Sequence, residues 1–532
     1  MSKEIRNRLF GLPCGQGLSW GRFRRYVSTS GSDSNDGLTE SKAWKTLAYA
    51  CSQVSLAGST IYVGSGTINE TEQSVLAEGV SIKGAGATSI ISSTLIDIPT
   101  IKLASVAEGT EGNQSISYIR MTGNGTTTYG AIRVLARSNV LIHHCEFEDF
   151  FNNGVVFGGR VSGSGDPTTP ATGNKFYNNT VINCAGAWLT NGNLMLGGQT
   201  GMLVYNNTIT QTDRGANLWG WAIKFYAEGY CRGLKIYNNT LTIPVKDASD
   251  WDFAIELFNC RGGIEIYNNT IQGSVDFGST IAEGYIGMND AGGYGFACKI
   301  HDNTIGQTSL QTWTQYGIKP ERNITGGLYI YRNLFKNLYQ VVDFSQVNGN
   351  AVENIYIYYN IFDTIGLNGG SNGACVAMGL NASTASYNNV NILNNVMYAG
   401  ALGDSFWGIN IRTAGAFTNL TIRNNIIQGF DRCIYLSKGT YDVVSFENNN
   451  FYGNGSNAAT NLPDYDNDGI TITNVTIQNN IVTIPGFVTA GTDFHLAIGS
   501  GCINTGIDVG LTEDYDEIAV ADPPEIGAYE YV

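Results

Sequence analysis

Proline and charged residues are scarce in this chain of 532 residues. It has 10 Pro, and Asp, Glu, Lys and Arg together make up 14% of it. With 11% aromatic residues, the chain does not fit a disordered protein, because such chains are rich in charge and poor in aromatic groups. Apolar runs stay well short of the about 18 residues that a membrane-spanning helix needs, so membrane insertion is not expected. The net charge of −15 argues against nucleic-acid binding, which uses basic surfaces.

Motifs for common cofactors and nucleophiles are also missing. The 10 Cys form no C-x-x-C pair, and several lie in apolar strand-like runs, so we expect buried thiols and no disulfide framework. The four His form no H-E-x-x-H motif, and no G-x-S-x-G, P-loop or Rossmann fingerprint stands in a convincing setting. Zinc, nucleotide and Ser-His-Asp chemistry are therefore not expected, and no cofactor is required.

The first 25 residues are basic and belong to no repeat. They carry Lys3 and five Arg against the single acid Glu4. No apolar stretch of about 7–15 residues follows these charges, so the segment does not fit a secretory signal. If Met1 is the true start, the protein is expected to be made and folded in a cytosol.

A short repeated phrase is abundant instead. It consists of an apolar residue, any residue, two Asn, any residue and an apolar residue, as in KIYNNTL and EIYNNTI. The repeat spacing averages about 30 residues, which with the near absence of Pro predicts one strand-based coil per repeat. The second Asn position falls at Cys145 (a degenerate first copy), Asn179, Asn207, Asn239, Asn269, Asn303, Asn333, Asn360, Asn395, Asn425, Asn449 and Asn480.

Residues 253–275 show the expected layout of one coil. Strands are predicted at 254–258 and 263–267, with a bend at 260–262 between them, and a third strand from Thr270. The turn before that strand is Asn268-Asn269, because Asn tolerates left-handed backbone angles and bonds neighbouring backbone groups. Asn side chains stacked in register also bond to each other along the column. The many N-x-T triplets are therefore interpreted as ladder positions and not as glycosylation sites.

This pattern resembles the right-handed parallel β-helix, or pectate-lyase-like, superfamily and its Asn ladder, over nearly the whole chain. The resemblance implies an all-β solenoid of about 13–15 coils with an N-terminal capping helix, here roughly 42–53. We expect residues 26–66 to form the cap and first strand, 67–490 the β-helix and 491–532 a closing segment. Residues 1–25 resemble the attachment peptide that precedes the β-helix in phage tail spikes.

The first strand of each coil is where this fold builds its groove. Aligned on their inward apolar residues, these strands present one outward column: Arg133, Val156, Met195, Lys224, Glu256, Gly287, Lys319, Asp343, Ala377, Asn410 and Tyr435. Charged and aromatic residues concentrate between positions 224 and 343, where they form a candidate sugar site. The predicted substrate-binding residues are Lys224, Tyr226, Lys319, Arg412, Trp221, Trp251 and Trp313.

Glu321 and Asp343 are the predicted catalytic pair, with Glu256 as an alternate acid. One coil and one column separate the first two, which places their Cα atoms about 8 Å apart. That estimate lies inside the window of about 6.5–9.5 Å for inverting glycosidases. Glu256 lies about 14 Å from Asp343. Lys319, on the same face, would keep a neighbouring carboxylate ionised. The alternatives are a binding groove without catalysis and a merely solvated face.

A candidate calcium loop lies between the last two copies of the repeat. Asp464, Asp466 and Asp468 precede Gly469 in the pattern D-x-D-x-D-G, which matches the start of an EF-hand loop. The twelfth position is Val475, where that loop requires Glu. A structural Ca²⁺ site and an ion-free acidic turn both remain open.

The resemblance implies a tail-spike-like phage virion protein that binds a host-surface polysaccharide. Whether it also cleaves the polysaccharide is left open by the sequence. It further implies a homo-oligomer, a trimer by analogy, that contacts other virion proteins through residues 1–25. The predicted location is the virion tail. Two alternatives stay open: an extracellular or cell-surface bacterial polysaccharide lyase or hydrolase, and a purely architectural virion fibre. The Lys and Arg residues would suit a lyase, but the lyase motifs are missing.

Overall fold

The chain is described by a computed structural model. It covers residues 23–163, 165–185, 192–211, 223–225, 229–243, 253–257, 260–273, 284–288, 296–307, 316–320, 323–344, 350–365, 373–379, 384–400, 407–412, 414–455, 464–465 and 471–532. In three of these strands some positions are described by their backbone alone: Lys224, Phe225, Ile243, Asp464 and Tyr465.

Three long parallel sheets run the length of the molecule, and each coil contributes one strand to each of them in turn. Sheet A has 16 strands: Arg24–Val27, Thr60–Val63, Ser81–Gly84, Thr110–Ser117, Arg137–His143, Lys175–Tyr177, Leu203–Tyr205, Lys235–Tyr237, Glu265–Tyr267, Cys298–His301, Leu328–Tyr331, Ala351–Tyr358, Ser386–Leu393, Ala416–Arg423, Thr440–Glu447 and Thr471–Gln478.

Sheet B has 14 strands: Gly66–Glu70, Ser89–Ser93, Arg120–Thr122, Glu146–Glu148, Thr180–Ile182, Thr208–Thr210, Thr240–Ile243, Thr270–Gly273, Thr304–Gly306, Leu334–Lys336, Ile361–Asp363, Val396–Tyr398, Ile426–Gln428 and Asn450–Tyr452. Sheet C also has 14: Ser74–Val75, Pro99–Ala104, Gly130–Leu135, Asn153–Gly158, Leu194–Leu196, Ile223–Phe225, Phe253–Leu257, Gly284–Met288, Tyr316–Pro320, Gln340–Phe344, Ala374–Met378, Trp407–Ile411, Arg432–Leu436 and Asp464–Tyr465.

These sheets form a right-handed parallel β-helix, which confirms the predicted fold class and coil number. The predicted first, second and third strands of each coil belong to sheets C, A and B. Ala171–Thr172 pairs with Gln199–Thr200 in a short parallel sheet, and Phe487–Thr489 with Asp493–Leu496 in an antiparallel hairpin. No helix in the described part of the chain is long and apolar enough to cross a membrane.

The core is a set of apolar columns inside the coil, because alternate residues of every strand point inward. In sheet A, for example, Ile236, Ile266, Ile300 and Ile330 follow one another in register and are all at most 1% exposed. Nine of the Cys residues are described, and all nine are buried without a disulfide bond. The prediction of buried thiols is therefore confirmed for these nine.

The Asn ladder runs unbroken from Asn179 to Asn480. At a typical step, the backbone N–H of Asn239 donates to Oδ1 of Asn269 at 3.0 Å, and Nδ2 of Asn239 donates to the same oxygen at 2.9 Å. Nδ2 also donates to the carbonyl of Val204 at 3.1 Å, one coil back. The left-handed backbone falls on the residue before, such as Asn268 with φ 53°. The two Asn of the phrase therefore have different tasks, one in the turn and one in the ladder.

A short helix, α1, covers the N-terminal end of the coil. It spans Leu47–Gln53, preceded by a 3₁₀ turn at Glu40–Lys42, and so begins later than the predicted 42–53. Thr46 caps its first turn, and the Glu70 carboxylate accepts from the N–H of Leu47 at 2.6 Å. Three residues of α1 are buried against the core, as a cap requires: Leu47, Ala50 and Cys51.

The first strand of sheet A begins before the predicted boundary at residue 26. Arg24 and Arg25 already pair with Thr60 and Ile61 in the parallel register of the sheet. Residues 24 and 25 therefore belong to the β-helix and not to the leader. Their basic side chains do not prevent this, because strand pairing uses backbone groups.

The C-terminal segment, here residues 483–532, lies along the flank of the coil. It bonds to the column of turn Asn residues: Asn424 Nδ2 donates to the carbonyl of Ile507 at 2.8 Å, and Asn448 Nδ2 donates to that of Thr505 at 2.8 Å. The last strand of sheet A is left largely uncovered, with Val475 46% exposed. The predicted closing segment, 491–532, therefore packs against the side of the β-helix and not across its end.

A change in the repeat explains where this segment docks. The residue after the ladder Asn is Thr in five successive coils, from Thr180 to Thr304, and is apolar in the next four, from Leu334 to Ile426. The apolar residues of the later coils form a second buried cluster with the C-terminal segment. Its main members are Tyr359, Ile361, Val396, Ile426, Phe494, Leu496, Ile526 and Tyr529.

Two carboxyl groups are buried together where this segment meets the coil. Glu525 and Glu530 are 2% and 5% exposed and lie next to each other. Asp514 and Tyr359 lie next to them, each at 1% exposure. Burial, together with the neighbouring Glu525, raises the pKa of Glu530 from 4.5 to about 8. The folded chain therefore favours the protonated form of Glu530.

Docking of the C-terminal segment should weaken as pH rises. The folded chain holds the Glu530 proton more tightly than the unfolded chain does, so its contribution to stability is complete below pH 4.5 and lost above about 8. Hydrogen exchange in residues 483–532, corrected for intrinsic rates, should speed up across this range. Glu530→Gln should flatten the dependence and the exposed control Asp508→Asn should not; an unchanged profile in Glu530→Gln would contradict the assignment.

Candidate functional site

The outer face of sheet C carries the predicted groove column in the predicted register. Strand pairing aligns Arg133 with Val156, Lys224 with Glu256, and Gly287 with Lys319. It continues from Asp343 through Ala377 and Asn410 to Tyr435. The alignment is therefore confirmed as geometry, while the chemical roles assigned to these residues stay predictions.

Lys319 and Asp343 form a buried ion pair on this face. Lys319 Nζ lies 3.2 Å from Asp343 Oδ2 and 3.8 Å from the centre of the Tyr316 ring. Lys319 is 1% exposed and Asp343 0% exposed. Both were expected on an open groove, and that part of the prediction is wrong: although their side chains leave the coil interior, neighbouring groups on the outer face cover them.

The other predicted catalytic and stacking residues are only partly visible. Glu256 is half-buried in the same column, three coils before Asp343. Of Lys224 only the backbone position is described. The remaining predicted residues lie outside the described part of the chain: Glu321, Tyr226, Trp221, Trp251 and Trp313.

The predicted calcium loop falls mostly outside the described residues. The backbone of Asp464 lies in the last strand of sheet C, paired with Tyr435, whereas Asp466 and Asp468 are not described. Within the described part of the chain, no group of three His, Cys, Asp or Glu side chains could hold a metal ion. The Ca²⁺ site therefore stays a prediction.

Arg412 belongs to an aromatic cluster two coils beyond Asp343. Its Cζ atom lies 4.6 Å from the Trp407 ring centre and 5.1 Å from that of Tyr435. Arg432 lies 4.8 Å from the same Tyr435 ring, and the two rings stack at 6.0 Å. Trp407 was not predicted, because it lies two residues before the inward Ile409 of its strand, where strict alternation would place it on the inner face.

A second feature missed by the sequence interpretation is a column of stacked aromatic rings outside sheet A. Tyr177, Tyr205, Tyr237 and Tyr267 stack at 4.9–5.0 Å with interplanar angles of 4–6°. The stack continues through His301. The sequence marks this column by the Tyr that directly precedes the Asn pair in successive copies of the repeated phrase. Because the rings cover each other, the column offers edges and hydroxyl groups but few open ring faces.

Charged groups brace this column. Lys235 Nζ lies 2.6 Å from Glu265, and Arg332 binds Asp302 at 2.7 Å and Glu517 of the C-terminal segment at 3.2 Å. Burial alone would raise the pKa of Glu265, but Lys235 and His301 lower it below its usual value. This surface is stabilised by its own contacts, so sheet C remains the better candidate site.

No protein-family model matches the chain, and no curated protein sequence does. Among solved structures, the chain is similar to the catalytic unit of a GH87 α-1,3-glucanase from Streptomyces thermodiastaticus, at 12% identity and a TM-score of 0.41, over 88% of this chain and 71% of that one. It is also similar to Dettilon tailspike protein, at 15% identity and a TM-score of 0.37, over 76% of this chain and 66% of that one. A third similar structure is that of pectate lyase Pel9A, at 12% identity and a TM-score of 0.30, over 96% of each chain. Likeness at this level leaves the activity of this chain to be argued from its own residues.

Proposed function

We propose that this chain is a tail-spike-like virion protein that binds a cell-surface polysaccharide along the outer face of sheet C. The observation that carries the proposal is the cluster of Trp407, Tyr435 and Arg412, which places two aromatic rings and a cation on that face in register with the coil. Sites for organic ligands combine aromatic surface with a few placed polar groups. The assignment to a virion tail follows the resemblance of the repeat and leader to tail spikes.

Glycan binding, rather than glycan cleavage, is the activity proposed for this face. Asp343 is fully buried and held by Lys319, an arrangement that stabilises the face on which a glycan would lie. A general acid or base must instead come within hydrogen-bond reach of the glycosidic oxygen or the attacking water. Cleavage by Glu321 and Asp343 would require a substrate-bound state in which Asp343 is uncovered.

Binding is tested with a panel of capsular polysaccharides and lipopolysaccharides. The parent chain should bind at least one of them, and Tyr435→Ala should weaken that binding by about 10-fold through loss of a ring and its packing. Tyr237→Ala, in the stacked column of sheet A, is the matched control and should leave affinity unchanged. Failure to bind any polysaccharide, or equal losses in both variants, would contradict the proposal.

Cleavage is tested separately with Glu321→Gln and Asp343→Asn. Each change keeps the side-chain shape but removes proton exchange, so in a chain that cleaves its glycan the release of reducing ends should fall by about 10²-fold or more. Glycan binding should persist, and circular dichroism should show that each variant stays folded. Full activity in both variants would remove the pair from consideration, and a parent without turnover would mark the chain as a binding protein.

A further inference from the structure

Three carboxyl groups are buried without a basic partner where the C-terminal segment meets the coil. Asp514, Glu525 and Glu530 are 1%, 2% and 5% exposed. Within the described part of the chain, the basic groups of this region pair with other acids: Asp493, Glu513, Asp516 and Glu517. Buried charges in proteins are normally paired or bind a metal. The three carboxyl groups therefore lack the positive charge that such burial requires.

Asp514 is satisfied by the backbone, whereas the other two carboxyl groups are not. The oxygens of Asp514 accept from the N–H groups of Asp516, Ile518 and Glu530 at 2.7–2.9 Å. By contrast, Oε2 of Glu525 and Oε1 of Glu530 are buried and have no hydrogen-bond partner in the part of the chain that the structure describes. These two oxygens are therefore available to a group that binds from outside the chain.

A tyrosine hydroxyl from the coil lies beside the same carboxyl groups. Tyr359 stands where most copies of the repeat have the first Asn of the pair, and it keeps the left-handed backbone of that turn, with φ 52°. It is 1% exposed, and its hydroxyl has no hydrogen-bond partner among the described residues. Burial, and then the charges of Glu530, Asp514 and Glu525, raise the pKa of this phenol. Because the phenol has its own proton, a proton added to one carboxylate leaves the hydroxyl unpaired.

We propose that Glu525, Glu530 and Tyr359 bind a calcium ion that fixes the C-terminal segment to the coil. All three unpartnered atoms are oxygens, which hard divalent cations prefer. Calcium suits the site better than Mg²⁺, because Ca²⁺ accepts carboxylates in irregular geometry, whereas Mg²⁺ keeps several waters for which a buried site has little room. Two positive charges balance the two carboxylates. None of the residues of the predicted calcium loop at 464–468 takes part.

The ligands come from two parts of the chain, so the ion acts as a clamp between them. Tyr359 belongs to a turn of the coil, whereas Glu525 and Glu530 belong to the C-terminal segment. An ion that binds only the docked arrangement stabilises docking in proportion to its concentration above the dissociation constant. This role is independent of the proposed polysaccharide binding, and the two can be tested separately.

The full chain, freed of cations with a chelator, is titrated with CaCl₂ at constant pH and followed by calorimetry and hydrogen exchange. At a calcium concentration ten times the dissociation constant, exchange in residues 514–530 should slow by about 10-fold. Glu525→Gln and Glu530→Gln keep the side-chain shape but remove a charge, and each should lower calcium affinity at least 10-fold. Tyr359→Phe keeps the ring, removes only the oxygen and should also weaken binding.

Asp508→Asn is the matched control, because it removes a carboxylate from an exposed position of the same segment. It should leave calcium affinity unchanged. Asp466→Asn separates any ion held by the predicted loop at 464–468 and should leave the protection of residues 514–530 intact. The Gln variants remove a buried charge, so without calcium they should be no less stable than the parent, and unfolding cannot explain a lost response.

Three results would overturn the proposal. The first is exchange in residues 514–530 that calcium does not slow, which would leave a buried water or a proton as the partner of these oxygens. The second is equal slowing by MgCl₂, or by NaCl of the same ionic strength. The third is unchanged calcium affinity in both Glu525→Gln and Glu530→Gln.

Discussion

Replacing Asn269 by Leu should destabilise the β-helix by about 3 kcal/mol or more, because several buried groups lose partners that cost about 1–3 kcal/mol each. Oδ1 of Asn269 accepts from the backbone N–H and from Nδ2 of Asn239. Nδ2 of Asn269 donates to Ile236 O at 2.9 Å and to Asn303 Oδ1 at 3.0 Å. Leu can make none of these bonds, and with Asn269 only 1% exposed, water cannot replace them.

Hydrogen exchange at the turns of Asn239, Asn269 and Asn303 should speed up first, because each ladder Asn serves the coils on both sides. Thermal unfolding should shift to lower temperature in parallel. Thr270→Leu is the matched control: it lies next in the chain, and the same register position is already Leu334 two coils on. Equal shifts in both variants would show that Leu at this turn is harmful by itself and that the ladder bonds contribute little.

The coil architecture could be predicted from the sequence because the same strand and turn pattern recurs once in every coil. The Asn pair fixes the turn between sheets A and B, and the alternation around it fixes which residues face inward. That was enough to place Lys224 beside Glu256 and Asn410 beside Tyr435. The path of the C-terminal segment was missed, although the change from Thr304 to Leu334 and then Ile361 after the ladder Asn marked where an apolar strip needed a cover.

The candidate site was less predictable than the fold. Alternation within a strand predicts on which face of the sheet a side chain lies, but it does not predict which other groups cover that face. Asp343 was correctly placed on the outer face of sheet C, yet it is buried there. Trp407 belongs to the same face through its contact with Tyr435, whereas strict alternation from Ile409 would have turned it inward. Such packing depends on groups far apart in the sequence, which local periodicity does not report.

Lys319→Met should destabilise the chain by about 3–5 kcal/mol, the usual effect of removing one partner from a buried ion pair. Asp343 would keep its carboxylate at 0% exposure without the ammonium that lies 3.2 Å away. The double variant Lys319→Met with Asp343→Leu removes both charges and keeps apolar bulk. It should recover most of the loss, because burying a pair of ions has its own desolvation cost.

Local hydrogen exchange in Tyr316–Pro320 and Gln340–Phe344 measures this effect even where heating is irreversible, because the two strands neighbour each other in sheet C. A double variant as unstable as the sum of the two single variants would show that the charges do not interact. The result also bears on function. If the double variant folds, binds polysaccharide and releases reducing ends like the parent, the ion pair is a structural support of the sheet C face, and a catalytic role for Asp343 fails with it.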